Sequence, residues 1–579
     1  TWRYTGWNRQ VNRFGAIAEG KLLIERDFQG DKQAWFDAIS RAIGNIVVQP
    51  VQKRCYPMGH VAGQLIGYVT ERQEGITPGG GIELWSNNAL AGDAQTVPLR
   101  DLTPTQLPSG GLQGKPALGV QLTIDADLQA FCEQALAKGL LRTESDAGVV
   151  VVMDSQTGDI LALANGPVFD PDLYQKYLQP GLADSGPFGD PSKSASVPRL
   201  VTSAELPAAM APEVLPPNLP PSLAPNEAGG LAATGSPAMD GRQPLLLADW
   251  PLSTVQLDAW TNPIPPALIP GIAPEHQRPA ALIWEVEPGS IFKTFAMTAA
   301  LEHHDIEPDT TFPIGPAPYN VPGTSTQIHD HHNPAGLETW TAHKVLVESS
   351  NKGMARIAMK TGRDDFMETF AKFHFGERML NLPGEGDGTY GLTKEKWYPS
   401  ELATIAFGQG LITATPLQLT AAMNAVATGS FIRPRLVAQV QKADGSWREI
   451  SGNPREATFD LDAITAVQSM LIDVVKEGTG TKAAVPGYTV AGKTGTAWKS
   501  GVGGYTTQYL SSFLGYAPAE TPRYTMIVMC DNPRKDRFGG LAAAPIFQEI
   551  MAWLLRRDAV AHLPEPSYQP RVDEVEAKP

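Results

Sequence analysis

A serine and a lysine three residues apart, Ser290 and Lys293, follow the turn residues Pro288 and Gly289. This spacing places both side chains on one face of a helix, within reach of each other. A serine hydroxyl becomes an effective nucleophile when a neighbouring base removes its proton. A lysine can be that base if burial or positive neighbours lower its pKa. The pair predicts a nucleophile with its base, although the same spacing also suits an N-cap serine followed by a surface lysine.

A second hydroxyl and an amide occur in the triplet Ser349-Ser350-Asn351, at the end of an apolar helical stretch. Ser349 could carry a proton between Lys293 and a leaving group. Asn351 could hold Lys293 and the backbone of a substrate. On its own the triplet reads equally well as a turn or a helix cap.

A third motif, Lys493-Thr494-Gly495-Thr496, comes directly after a predicted strand, Tyr488–Ala491. Lys493 offers a positive charge for a substrate carboxylate, and Thr494 and Thr496 offer hydroxyl groups. Glycine at 495 would allow a ligand to come close to the backbone. The strand edge could pair with an extended peptide. The alternative is a strand end of ordinary polarity.

The three motifs together are much more specific than any one of them. They occur in the order Ser-x-x-Lys, Ser-x-Asn, Lys-Thr-Gly, with the third on a strand near the C-terminal end. This ordered set is typical of β-lactamases and penicillin-binding proteins. It predicts acyl transfer through a covalent serine intermediate.

The elements that must position these motifs have an α/β pattern with a helical middle. The predicted strands are Gly148–Met153, Ile160–Ala164, Tyr488–Ala491, Leu510–Tyr516 and Tyr524–Cys530. The predicted helices are Ala126–Leu141, Ser290–Glu302, Glu338–Met359, Pro416–Ala427 and Ala544–Leu555. We therefore expect one sheet, built from both ends of this region and covered by helices.

Two other regions differ from this pattern. Residues 1–115 show short candidate strands, one predicted helix near Lys32–Ile46 and a turn-rich end, which predicts a small separate domain with a linker. Proline, alanine, serine and leucine dominate between about Gln179 and His276. Because proline at this density cannot sustain helices or central strands, we expect an inserted, largely irregular segment outside the catalytic core. An ordered accessory lobe is the alternative.

The composition limits the possible function classes. A chain of 579 residues is too long for one ordinary domain. The formal net charge of −15 at pH 7 repels phosphates and argues against a nucleic-acid partner. Cys55, Cys132 and Cys530 are far apart and odd in number. They predict buried thiols rather than a disulfide framework or a zinc site.

The sequence resembles the class B penicillin-binding proteins, most closely their cell-division (septal) type, from about Arg54 to Leu555 without the proline-rich segment. The similar segments of the catalytic region are Glu287–Lys293, Ile328–His332, Ser349–Met354, Trp397–Thr404, Phe407–Gly410, Thr415–Leu419, Val490–Ala497 and Tyr516–Ala519. Those of the non-catalytic region are Arg54–Gly59, Leu65–Tyr68 and Gly81–Glu83. The departures are Gln64, where a histidine is usual, and the long segment before Ser290.

The resemblance implies a multi-domain α/β fold. We expect a penicillin-binding, β-lactamase-like transpeptidase domain with a central antiparallel sheet flanked by helices, plus a small N-terminal non-catalytic domain (a pedestal or dimerisation domain). The expected division is a partial pedestal domain and linker at 1–115, a transpeptidase domain at 116–560 and a C-terminal tail at 561–579. The segment 179–276 would interrupt the transpeptidase domain.

The resemblance also implies a peptidoglycan D,D-transpeptidase without metal or cofactor. Ser290 would be the nucleophile and Lys293 the general base, and the rest of the catalytic set would be Ser349, Asn351 and Lys493. Thr494, Gly495 and Thr496 would bind the substrate, and the N–H groups of Ser290 and Thr496 would form the oxyanion hole. The histidines His329, His331 and His332 could suggest a metal site. The family resemblance accounts for the segment that contains them without a metal.

The expected partners are peptidoglycan stem peptides, β-lactams as covalent inhibitors, a membrane glycan polymerase and division proteins. The expected location is the extracytoplasmic, periplasmic face of the cytoplasmic membrane. No apolar run here approaches the roughly 18 residues that span a bilayer, so we expect the anchoring helix to precede this sequence. Three alternatives stay open: an elongation-type transpeptidase, a penicillin-hydrolysing or penicillin-sensing serine protein, and a division scaffold.

Overall fold

The computed structural model describes residues 2–5, 15–18, 21–24, 47–50, 54, 56–72, 75–90, 97–98, 118–171, 278–391, 396–501 and 504–560. Four features of the sequence lie outside these residues: the predicted helix near Lys32–Ile46, the segment 179–276, the tail 561–579 and Cys55. The domain division at residues 115 and 116 therefore stays a prediction.

A five-stranded antiparallel sheet forms the centre of the catalytic region. Its strands are β1 (Ala147–Asp154), β2 (Ile160–Gly166), β3 (Ala491–Gly501), β4 (Gly504–Ala517) and β5 (Tyr524–Asp531). Their spatial order is β2-β1-β5-β4-β3, so that β3 is an edge strand. The two ends of the region meet where β1 pairs with β5. The predicted α/β class, with one sheet built from both ends, is confirmed.

Both faces of this sheet are covered. All eight residues of β1 are buried, and their side chains alternate between two hydrophobic cores. Val149 and Val151 belong to one core, whereas Val150 and Val152 belong to the other. Because successive side chains of a strand point to opposite faces, this alternation places helices on both sides of the sheet.

The longer helices are α1 (Ala126–Thr143), α2 (Lys293–Glu302), α3 (Ala342–Val347), α4 (Asn351–Lys372), α5 (Pro399–Ile405), α6 (Pro416–Thr428), α7 (Leu461–Lys476) and α8 (Ala544–Arg557). On one face, Phe131 of α1 stacks on Trp553 of α8 with ring centroids 4.5 Å apart. Helices α2, α4, α6 and α7 contribute to the core on the other face. Within the described ranges, no helix is both long enough and apolar enough to cross a membrane.

Capping side chains determine where several helices begin. Asp125, Thr415 and Asp460 each accept a hydrogen bond from the backbone N–H three residues further on. Each bond satisfies a donor that the first turn of a helix leaves unpaired. Pro416 then occupies the first position of α6, where its missing N–H has no cost. These caps explain why the predicted starts of α1 and α6 match the structure.

Two predicted elements are wrong in detail. The predicted helix Glu338–Met359 is instead a strand, Glu338–Thr341, followed by α3 and α4. Ser349 separates the two helices with a φ of 58°, a left-handed conformation that a continuous α-helix cannot contain. The strand that was expected to end at Ala491 begins there. The motif from Lys493 to Thr496 therefore lies within β3 rather than after a strand.

The remaining elements are short. The helical ones are Gly63–Ile66, Gly81–Trp85, Asn87–Leu90, Ala280–Ile283 and Gly539–Ala542, with 3₁₀ turns at Gly289–Phe292 and Thr481–Ala483. The short strands are Trp2–Thr5, Gly15–Ala18, Lys21–Ile24, Val47–Pro50, Val69–Arg72, Gly75–Pro78, Val97–Pro98, Val120–Leu122, Thr311–Ile314, Tyr319–Asn320, Gln327–Ile328, Thr389–Tyr390, Ile412–Thr413, Ser430–Ile432, Val437–Gln441, Trp447–Glu449 and Arg455–Thr458.

The N-terminal segment 56–90 contacts α1 and the residues that follow β2. Arg54 donates two hydrogen bonds to the Glu83 carboxylate, at 2.7 and 2.9 Å, and so joins two of the segments that carry the resemblance. Gln64 donates to the carbonyl of Pro167 at 2.8 Å. The backbone N–H of Ala62 donates to the Glu133 carboxyl of α1, also at 2.8 Å. Burial raises the pKa of Glu133 to about 8.

Candidate active site

The chain turns sharply just before Ser290. Gly289 has a φ of 58°, in the left-handed region that favours glycine. Its N–H donates to the carbonyl of Gly408 at 2.9 Å. A Cβ atom added at Gly408 would lie 2.2 Å from the Gly289 oxygen. A glycine at 408 is therefore required for the loop Phe407–Gly410 to pack directly against the nucleophile turn.

Apolar neighbours anchor the turn that carries the serine. The 3₁₀ turn Gly289–Phe292 leads into α2. Phe292 is fully buried, with its ring centroid 4.9 Å from that of Phe370 and 5.6 Å from that of Phe295. Ser290 is half-buried. The turn is thus held by its aromatic side chain while the serine remains accessible to solvent.

Lys293 is the first residue of α2, and its side chain is fully buried. Its amine donates to the carbonyl oxygen of Ser349 and, at 3.2 Å, to the Ser349 hydroxyl. Burial lowers the pKa of Lys293 to about 7, against the opposing effect of the Asp330 charge. An amine with this pKa is partly neutral at physiological pH, which a general base requires.

Lys493 reaches the same hydroxyl from β3. Its amine donates to Ser349 Oγ at 2.9 Å and to the carbonyl of Thr494 at 3.2 Å. The side chain is fully buried, and burial together with the Lys293 charge holds its pKa well below the usual range. Lys493 therefore shares Ser349 with Lys293. Its expected role as a positive charge for a substrate carboxylate stays a prediction.

Ser350 and Asn351 begin α4. Ser350 caps the helix by accepting from Gly353 N at 2.9 Å, and its hydroxyl donates to Asp330 at 2.7 Å. The amide nitrogen of Asn351 donates to the His329 carbonyl at 3.1 Å. Asn351 therefore holds the segment before α4, and its expected contacts with Lys293 and a substrate stay predictions.

The threonines of β3 connect the site to two other segments. The hydroxyl oxygens of Thr494 and Thr479 lie 2.6 Å apart. Thr496 Oγ accepts a hydrogen bond from Gly539 N at 3.1 Å. The two hydroxyl groups expected to bind substrate are thus oriented by residues near the ends of α7 and β5.

Gly495 packs closely against two neighbouring elements, and its expected role at a ligand stays a prediction. A Cβ atom there would lie 2.3 Å from Ser512 Oγ and 3.0 Å from a methyl carbon of Ile291. Packing against β4 and the nucleophile turn therefore favours glycine at this position. The Ser-x-x-Lys turn and β3 consequently lie in direct contact.

Four residues that shape the site were not identified from the sequence. Asp330 and Gly408 stood inside segments that carried the resemblance, but neither was singled out. Thr479 and Gly539 carry no sequence signal, because their contacts with β3 depend on how distant segments fold together.

In the described part of the chain, His329, His331 and His332 do not belong to a cluster that could hold a metal. Among the described residues, no three or more histidine, cysteine, aspartate or glutamate side chains form such a group. His331 makes an edge contact with Phe538, at 6.2 Å between ring centroids. Cys132 and Cys530 are buried free thiols.

The arrangement combines an accessible serine, a base with a pKa near neutrality, and a hydroxyl that bridges two amines. The half-buried Ser290 lies one turn before Lys293 on α2, and Ser349 connects that lysine to Lys493. The strand β3 runs beside them at the edge of the sheet, where β4 is its partner among the described strands. Such a site can transfer an acyl group from an extended peptide.

Residues 277–552 match the family model of the penicillin binding protein transpeptidase domain. Penicillin-binding protein PbpB of Mycobacterium tuberculosis is 34% identical over 294 residues, which cover 48% of this chain and 42% of that protein. Peptidoglycan D,D-transpeptidase FtsI of Escherichia coli K12 is 25% identical over 559 residues, covering 94% of this chain and 74% of that protein.

The fold is shared with solved structures. Penicillin binding protein 3 from M. tuberculosis, crystallised with aztreonam, superimposes with a TM-score of 0.63 at 24% identity. The match covers 90% of this chain and 94% of that chain. The fold and the site together define a penicillin-binding transpeptidase domain. The chain is similar to proteins named penicillin-binding protein PbpB, stage V sporulation protein D and peptidoglycan D,D-transpeptidase FtsI. The chain's match spans less than half the length of the PbpB proteins of M. tuberculosis and Mycolicibacterium smegmatis, at 42% and 44%.

Proposed function

We propose that this protein is a peptidoglycan D,D-transpeptidase that cross-links stem peptides through an acyl-enzyme on Ser290. The observation that carries the proposal is the hydrogen-bonded group of Lys293, Ser349 and Lys493 next to an accessible serine. This group provides a base and a route for one proton, which acyl transfer needs in both of its steps.

In the first step, Ser290 Oγ attacks the carbonyl carbon between the two terminal D-alanines, and neutral Lys293 takes the hydroxyl proton. The C–N bond to the last D-alanine then breaks. The departing nitrogen receives the proton from Lys293 through the Ser349 hydroxyl, which lies 3.2 Å from that amine. The products are an ester on Ser290 and free D-alanine.

In the second step, the amine of a neighbouring stem peptide attacks the ester carbonyl and gives one proton to Lys293. The C–O bond to Ser290 breaks, and the serine oxygen recovers its proton. The backbone N–H groups of Ser290 and Thr496 would stabilise the oxyanion in both steps. The donor peptide would pair with the edge of β3, with its carboxylate near the hydroxyls of Thr494 and Thr496.

The buried position of Lys493 changes the role that we assign to it. Because its amine bonds Ser349 Oγ at 2.9 Å, we assign it to orienting that hydroxyl. Recognition of the terminal carboxylate then falls mainly on the threonine hydroxyls, with the nearby lysine charge as support.

D-Alanine release tests the activity. A synthetic stem pentapeptide with an acceptor amine should yield D-alanine and a cross-linked product, and Ser290→Ala should yield neither. If Ser290→Ala released D-alanine as fast as the wild type, the assignment would be wrong. Hydrolysis of many molecules of a chromogenic cephalosporin per second would instead favour a penicillin-hydrolysing enzyme. A protein that penicillin acylates, but that releases no D-alanine from the pentapeptide, would favour a sensor or a scaffold.

The setting we propose is the extracytoplasmic face of the cytoplasmic membrane, in septal wall synthesis together with a membrane glycan polymerase. The relatives named FtsI and PbpB support a cell-wall role. Depletion in the host organism decides between the two class B roles. Filamentous cells are expected from loss of septal synthesis, whereas rounded cells would indicate the elongation type.

A further inference from the structure

Asp330 is a buried carboxylate that contacts the chain around the Ser349–Asn351 triplet, and its side chain is only 3% exposed. One carboxylate oxygen accepts from the Ser350 hydroxyl at 2.7 Å, and the other accepts from Lys352 N at 3.0 Å. The two bonds hold the residues on either side of Asn351. They also fix the chain directly after Ser349, whose hydroxyl contacts both catalytic amines.

Lys352, in the first turn of α4, compensates the negative charge of Asp330. Its amine lies 3.8 Å from the Asp330 carboxylate, and its side chain is also 3% exposed. The amine donates to Asn333 Oδ1 at 2.6 Å, to the Ala317 carbonyl at 3.3 Å and to the Gly315 carbonyl. Burying two charges has a high cost in desolvation and contributes little to stability on balance. A role beyond stability is therefore expected for the pair.

We propose that Asp330 is a positioning residue of the catalytic site, which holds the Ser349–Asn351 turn against the Lys293 amine and directs negative charge at that amine. The inference rests on the proposed acyl transfer, because it assigns Asp330 to the base of that reaction. It differs from a purely structural role in requiring that the carboxylate charge itself act on Lys293.

The charges around Lys293 support this role. Asp330 raises the pKa of Lys293, while burial lowers it to about 7. Lys493 faces the same amine and the same hydroxyl from β3. Burial, the Lys293 charge and the neighbouring His332 lower the pKa of His331, whereas Asp330 raises it. Among these groups Asp330 is the counter-charge that keeps the buried amine basic enough to accept the Ser290 proton.

The test measures the rate of acylation by a fluorescent penicillin between pH 5 and 9 for the wild type and Asp330→Asn. The acylation rate should rise with pH as Lys293 loses its proton, and this rising part of the pH profile is its acidic limb. Asparagine removes the negative charge of Asp330 at nearly the same side-chain volume. The acidic limb of Asp330→Asn should therefore move to lower pH by about half a unit or more. The plateau rate should also fall by about tenfold, since the turn is held less firmly.

Lys352→Gln is the matched control. It loosens the same loops but keeps the Asp330 carboxylate, so its plateau should fall without any movement of the acidic limb to lower pH. Asp330→Glu keeps the charge and displaces the hydrogen bonds, so it should give a slower plateau and an unmoved limb. Melting temperatures show which variants are folded.

A slower Asp330→Asn with an acidic limb at the wild-type position would overturn the proposal, because the residue would then be structural only. If that variant does not fold, Asp330→Glu takes its place, and an unchanged plateau would overturn the proposal. A wild-type protein that is not acylated at any pH would instead refute the proposed function itself, so the two failures are distinguishable.

Discussion

Lowering the pH from 8 to 6 should slow acylation of Ser290 by about tenfold. Burial lowers the pKa of Lys293 to about 7, and only the neutral amine can take the serine proton. With that pKa, about nine-tenths of the amine is neutral at pH 8 and about one-tenth at pH 6. The rate should therefore rise with pH and level off above pH 8. A lysine with its ordinary pKa would still gain about tenfold per pH unit there.

The assay is the second-order rate of labelling by a fluorescent penicillin, followed by stopped flow between pH 5.5 and 9, with Ser290→Ala as the blank. Because Lys493 shares Ser349 with Lys293 and also has a lowered pKa, the midpoint belongs to the pair of amines. Equal rates at pH 6 and pH 8 would refute the reasoning. So would a rate that keeps rising tenfold per unit up to pH 10.

Two further substitutions test other parts of the structure. Gly408→Ala would place a Cβ atom 2.2 Å from the Gly289 oxygen, so acylation should fall by about tenfold to a hundredfold. Gly429 is the control position, because it has a comparable positive φ but no atom within 4 Å of an added Cβ. Gly429→Ala should be acylated at the wild-type rate. Equal acylation rates for the two variants would contradict the packing argument. Burial raises the pKa of Glu133 from 4.5 to about 8. Between these two pH values the folded protein keeps a proton that the unfolded chain releases. The free energy of unfolding should therefore decrease as the pH rises from 4.5 to about 8. Glu133→Gln should remove this decrease. The test is the melting temperature of the wild type and the variant between pH 5 and 9. If the melting temperatures of both proteins change with pH to the same extent, Glu133 is not the group responsible.

Much of the fold could be predicted because its signals are local. The strands β1 and β2 and the helices α1, α6 and α8 follow from apolar runs, helical spacing and capping residues, and each was located to within about three residues. Strand patterns at both ends of the region also predicted one sheet built from both, although they did not predict which strands pair. These features depend on residues close together in sequence.

The interior of the site could be predicted only as a set of residues, not as a set of contacts. Lys293, Ser349 and Lys493 do meet. The burial that lowers the pKa of both lysines depends on the packing of α2, α4 and β3 around them. The left-handed conformation of Ser349 is equally invisible in the sequence, because serine rarely adopts it. For the same reason the predicted helix through this residue was wrong.

The site of covalent attachment tests the central claim most directly. The protein is incubated with labelled penicillin, digested, and analysed by mass spectrometry with peptide sequencing. We expect one stable adduct, on Ser290, with the mass of the intact penicillin, and none in Ser290→Ala at equal protein concentration and melting temperature. Rapid, stoichiometric labelling of Ser290→Ala, or an adduct on another residue of the wild type, would contradict the account.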